Sequence, residues 1–105
     1  GEVVWAKVRG FPWWPGLVKK IITRVNKHDT TYKECKIIVN FIGDNSHAEL
    51  PSNKIDKFSN NFEEYSKTKN KALLNSIQLA KKIISGEISS DKYLMKDNKE
   101  NVIIF

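Results

Sequence analysis

Residues 10–16 read Gly10-Phe11-Pro12-Trp13-Trp14-Pro15-Gly16. Two of the chain's three tryptophans stand side by side between two prolines, with a phenylalanine just before them. Proline fixes its own φ and pushes the residue before it towards extended backbone. The stretch is therefore a stiff corner between two strands that presents its rings in set directions. Phe11 and Trp14 lie three apart across Pro12 and point to one side. Trp13 points to the other, into the sheet or towards the helices.

Outward from this corner the order is strands first and helices after. Val3 to Val8 is rich in β-branched and aromatic residues, a strand signature. Leu17 to Thr23 and Cys35 to Ile42 read as the second and third strands. The polar, non-periodic residues 24–34 between them read as a loop or loose hairpin. Gly43-Asp44-Asn45-Ser46 is a turn, Ala48 to Leu50 a short strand ended by Pro51, and residues 54–58 a short fifth. Asn60 with Glu63 three residues on is a helix-start signal, with Phe62 and Tyr65 sharing a face. From Asn70, the recurrence of Leu73, Ile77, Ala80 and Ile84 predicts an amphipathic helix closed by Gly86. Ser90 or Asp91 starts a last short helix or turn, and Val102 to Phe105 is an apolar tail without an assigned role. The expected fold is α+β: a small five-stranded antiparallel β-barrel over residues 1–58, followed by a C-terminal helical bundle and tail over 59–105. A chain of 105 residues suits one domain. It opens at Gly1 rather than Met, as a piece cut from a longer protein does.

Composition narrows the functional classes. No stretch approaches the ~18 apolar residues of a membrane span, so no membrane partner is expected. Cys35 is the only cysteine, which excludes an internal disulfide and a cysteine-based zinc site and suits a reducing compartment. It reads as a small strand residue rather than a nucleophile. Asp44, Ser46 and His47 are too close along one turn to align as nucleophile, base and orienter. With no paired carboxylates, phosphate loop or metal spacing, the chain reads as a non-enzyme without a cofactor. The net charge of +6 points to polyanionic partners, nucleic acid before membrane. An AT-rich coding genome would inflate lysine too, so the placement of the charges carries more than their sum. Lys67, Lys69, Lys71, Lys81 and Lys82 fall in a stretch without Asp or Glu. Lys81 and Lys82 suit the end of a helix, where cations favour its dipole.

The rings carry the sharper expectation. Trp5 and Trp13 read as core. Phe11 and Trp14 sit in a loop bounded by proline and glycine, and Phe41 ends a strand before the Gly43-Asp44 turn. At the rim of a closed sheet, these three rings form an open box. Such a box suits a trimethylated lysine, which keeps its charge, has no N–H and is loosely hydrated. Ring faces attract it by roughly 0.5–2 kcal/mol each.

The run Val4-Trp5-Ala6-Lys7-Val8-Arg9-Gly10-Phe11-Pro12-Trp13-Trp14-Pro15, with Phe41-Ile42-Gly43-Asp44 downstream, closely resembles the signature of the PWWP domain, over about residues 1–85. The resemblance implies a nuclear chromatin-binding module with a β-barrel and helices, monomeric within a larger protein. It implies two partners: a methylated lysine, trimethylated by preference, on the histone H3 tail, and nucleosomal DNA bound without sequence preference. Carried over by position, the cage is Phe11, Trp14 and Phe41, with Val8 on its floor and Asp44 beside it. Trp13 falls at a variable position and takes no binding role. The same resemblance places Arg9, Lys54, Lys67, Lys69 and Lys71 on the DNA-facing surface. The 24–34 segment departs from the pattern and would alter the rim. Two alternatives stand beside this reading: a DNA-binding module whose aromatic corner is only structural, and a docking domain for an unmethylated peptide.

Overall fold

The structure, a computed structural model, describes residues 2–29, 31, 33–44, 46–89 and, for the backbone, 101–104. Its elements in order are β1 (Val3–Ala6), β2 (Trp14–Val25), β3 (Lys33–Phe41), β4 (His47–Pro51), a 3₁₀ turn (Ser52–Lys54), β5 (Ile55–Lys57), α1 (Phe62–Tyr65), α2 (Lys71–Ser85) and β6 (Asn101–Ile104). The fold is α+β, with five antiparallel strands ordered β4-β3-β2-β1-β5. The expected barrel is not closed: among the described residues no ladder joins β4 to β5, and the 3₁₀ turn spans the gap. The expected helical bundle is not seen among the described residues, whose helices are the four residues of α1 and the fifteen of α2.

β2 is the spine of the sheet. Its first residues pair with β1, Trp14 facing Ala6 and Leu17 facing Val3. From Gly16 to Val25 it pairs with β3, with an irregularity between Val18 and Lys20. Two sequence boundaries move as a result. Trp14 and Pro15 belong to the strand and not to the corner; Pro15 lacks an N–H, but its carbonyl accepts from the Ile42 amide at 3.0 Å. Residues 24–25 and 33–34, read as a loop or loose hairpin, are the end of a hairpin arm, Arg24 facing Glu34 and Val25 facing Lys33. No residue of that arm from 23 to 25 or 33 to 35 is buried, so the arm carries no alternating apolar pattern. Cys35 is exposed on it. The tail, left without a role by sequence, lies parallel to β2, Asn101 facing Ile22 and Ile104 facing Val25. The predicted start at Ser90 or Asp91 and the Asn45 position of the turn lie outside the described residues.

Pleating divides the core in two, because alternate side chains leave opposite faces of the sheet. One face carries Val3, Trp5 and Leu17, packed with Phe58 and the α2 residues Leu73, Ile77 and Ala80. The other carries Val4, Ala6, Val39 and Phe41. Trp5 is fully buried, stacks on Phe58 at 4.7 Å and donates its indole N–H to the Phe58 carbonyl at 2.9 Å. Phe62 and Tyr65 of α1 close round it at 6.2 and 5.4 Å, and Trp13 stacks on Tyr65 at 4.9 Å. The two tryptophans expected in the core thus pack with the helices.

The helices keep some signals and drop others. Asn70 caps α2, its side chain accepting from the Leu73 amide at 3.2 Å, and Gly86 closes it. Ile84, expected on the buried stripe, is 59% exposed, because α2 runs on past the core and Ile83 packs in its place. The capping box at Asn60 and Glu63 does not form. Asn61 precedes α1 without a side-chain cap, and the Asn60 and Asn61 amides donate instead to Asp56 at 3.1 and 3.0 Å.

Candidate functional site

The corner that opens the sequence lines a cavity of about 460 Å³. Phe11, Trp14 and Phe41 all face it, with Val8 and Asp44 beside them. Each ring arrives by a different route. Phe11 sits on a turn closed by its amide donating to the Val8 carbonyl at 3.0 Å. The Lys7 ammonium donates to the carbonyls of both Val8 and Phe11 and ties the turn from below. Phe11 is 60% exposed, so backbone bonds and not ring packing fix its place. Phe41 ends β3 and is 8% exposed, offering only a small part of its ring. Its amide donates to the Ser46 carbonyl at 2.8 Å, which closes the β3–β4 turn.

Trp14 is the joint between the two cores, packing against both. Its indole N–H is shared between the Ile42 carbonyl at 3.3 Å and the Ser76 hydroxyl at 3.1 Å. Ser76 is the one buried polar residue among those described. Gly43 makes this contact possible. Its φ is +84°, and a Cβ there would stand 2.8 Å from Ser76 Oγ. Asp44 accepts from the Ser46 hydroxyl at 2.9 Å. That hydroxyl is therefore spent inside the turn and is not aimed at His47.

The second wall of the cavity is α2, which contributes Asn70, Asn75 and Ser76. The sequence reading gave this helix to the core and to the basic surface and missed its place here. The available signal was Ser76 itself, a polar side chain set among Leu73, Ile77 and Ala80 on the apolar stripe.

The five basic residues assigned to a second surface, Arg9, Lys54, Lys67, Lys69 and Lys71, are all exposed. The Lys7 amide donates to the Lys54 carbonyl at 2.9 Å, which brings Lys54 to the end of β1, close in sequence to Arg9. Lys69 and Lys71 flank in sequence Asn70, which lines the cavity. Lys67 lies apart, beside Glu63 and Glu64 in a shallow polar recess. Lys81 sits over the Phe62 ring at 5.1 Å, a cation–π contact that gives it a structural role.

A family model described as PWWP domain matches residues 1–85. The chain is 33% identical over 73 residues to PWWP domain-containing protein 5 of Arabidopsis thaliana, covering 68% of this chain and 11% of that protein. It is 31% identical over 74 residues to human PWWP domain-containing protein 2A, covering 70% of this chain and 10% of that protein. The chain therefore spans about a tenth of the length of these curated relatives.

Proposed function

Because this chain belongs to the PWWP domain family, whose members are generally chromatin-associated, we propose that it is a non-catalytic nuclear chromatin reader. It binds a methylated lysine, trimethylated by preference, of the histone H3 tail in the cavity, and nucleosomal DNA on the adjoining basic surface. The observation that carries this reading is the convergence of Phe11, Trp14 and Phe41 on one open cavity. A trimethylammonium group cannot hydrogen-bond, so ring faces and apolar walls such as Val8 compete well with water for it. Plain lysine, strongly hydrated, gains less.

The DNA half of the proposal rests on Arg9, Lys54, Lys67, Lys69 and Lys71, all exposed, with Lys69 and Lys71 either side in sequence of the cavity-lining Asn70. Their contribution is phosphate neutralisation with counterion release, which is salt-sensitive and blind to base sequence. One nucleosome engaging both surfaces gains through effective concentration. Peptide alone then binds weakly and a modified nucleosome much better.

A second reading has its own support. Phe41 is mostly buried and Trp14 is built into both cores, as in a corner that is structural only, leaving a DNA tether. Removing Trp14 would disturb the core under either reading. Phe11, exposed and held by its backbone, is the clean probe. Labelled domain is titrated with histone H3 peptides, unmodified and trimethylated, and followed by NMR. Shifts at Phe11, Trp14 and Phe41 with the trimethylated peptide alone, weakened roughly 2- to 30-fold by Phe11→Ala, support the reader. No response to any peptide, while duplex DNA shifts the Lys67–Lys71 region, leaves the tether.

A further inference from the structure

Of the three rings, Phe11 is the one that packing does not hold. It is 60% exposed, whereas Phe41 is buried and Trp14 packs against both cores. Its place depends on the turn from Val8 to Phe11. Gly10 within that turn has a φ of +86°, and glycine leaves several conformations open to the chain. Pro12 has no N–H, so the residue after Phe11 supplies no main-chain donor to fold the turn back. Among the described residues the main-chain closure is the Phe11 amide donating to the Val8 carbonyl at 3.0 Å. The remaining tie is a side chain. The Lys7 ammonium donates to the Val8 carbonyl at 3.1 Å and to the Phe11 carbonyl.

We propose that Lys7 is a positioning residue for methyl-lysine binding: its ammonium ties the Phe11 turn to the end of β1 and so keeps the Phe11 ring at the cavity. This rests on the reading of the cavity as a methyl-lysine site. Lysine suits the task. An ammonium has three donors and no acceptor, and its charge-assisted bonds are roughly twice as strong as neutral ones. Lys7 is itself fixed. Its amide donates to the Lys54 carbonyl at 2.9 Å, and Ala6 before it is fully buried and paired with both Trp14 and Ile55. A cation so close to a site for a cation calls for an account, because like charges repel. Ala6 and Val8 line the cavity and Lys7 between them does not. Its charge is turned onto two carbonyl oxygens instead. The two effects of that charge have opposite signs. Removing a repelling cation tightens the binding of trimethyllysine, and releasing the Phe11 turn loosens it.

The test uses Lys7→Met, which keeps an unbranched, flexible side chain but no donor. The trimethylated histone H3 peptide is titrated into the unaltered domain, Lys7→Met, Phe11→Ala and the double variant. Backbone amide relaxation is recorded on the free proteins, and thermal unfolding verifies the fold. The expected result has three parts. Lys7→Met binds the peptide about 2- to 10-fold more weakly. The Gly10 and Phe11 amides become more mobile in it. Adding Lys7→Met to Phe11→Ala brings no further loss, because the lysine acts through the ring. Unchanged or tighter binding by Lys7→Met, unchanged mobility of the two amides, or the same loss with and without the ring overturns the positioning role while leaving the ring site standing. Failure of the unaltered domain to bind the peptide removes the methyl-lysine reading itself, and the role of Lys7 in it.

Discussion

Gly43 holds the cavity wall against α2, and its replacement by alanine separates two physical terms. The first is backbone strain. Its φ of +84° lies in the left-handed region, where an L-residue other than glycine pays roughly 1–2 kcal/mol. The second is contact. A Cβ would stand 2.8 Å from Ser76 Oγ and 3.5 Å from Leu79 Cδ1. Ser76 is 2% exposed and bonded to Trp14, so it has no open space to retreat into and α2 must shift. Overpacking of this kind adds typically 1–3 kcal/mol. Gly10 supplies the control, because its φ is +86° but a Cβ there meets nothing within 4 Å. Urea denaturation should therefore place Gly10→Ala about 1–2 kcal/mol below the unaltered domain and Gly43→Ala about 2–5 kcal/mol below it. In a Ser76→Ala background the Gly43→Ala penalty should fall to the Gly10→Ala level, since the crowded oxygen is gone. Equal penalties for the two glycines, or strict additivity of Gly43→Ala with Ser76→Ala, would refute the contact.

Three further outcomes are expected. Trp5→Phe leaves the buried Phe58 carbonyl without its donor and opens space beside a stacked pair, lowering stability in urea by about 2–4 kcal/mol; a change below 1 kcal/mol would contradict that role. Asn70→Ala removes the cap on the Leu73 amide and should lower stability by about 1 kcal/mol, with backbone NMR shifts confined to the first turn of α2. Asp56 is held below the ordinary carboxylate range by accepting from Asn60 and then Asn61. A depressed carboxylate stabilises the fold above its unfolded-state value and loses that contribution as pH falls through the folded one. Stability should therefore decline from about pH 4 downward, and Asp56→Asn should flatten that part of the profile in acid titrations of unfolding.

Much of this protein was legible in its sequence because local physics fixed it. Pro12 restricts the corner, β-branched runs mark the strands, and Asn70 and Gly86 mark the ends of α2. Short-range signals put Phe11 and Trp14 in the proline-bounded corner and Phe41 at a strand end before the Gly43-Asp44 turn, and those ring positions share one cavity. The basic residues were exposed as charged side chains must be. Other features had no local cause. The open edge between β4 and β5 depends on how far strands twist before they meet. Residues 24–34 read as a loop or loose hairpin, and the paired ends at 23–25 and 33–35 bury no side chain that could choose between the two or set the register. Asn60 carries the same capping signal as Asn70, yet its amide turned to Asp56, a partner that only the fold brings near. The second wall of the cavity was decided the same way. Ser76 meets Trp14 across 62 positions of sequence, and helical periodicity records that a residue faces inward, not which ring it will meet there.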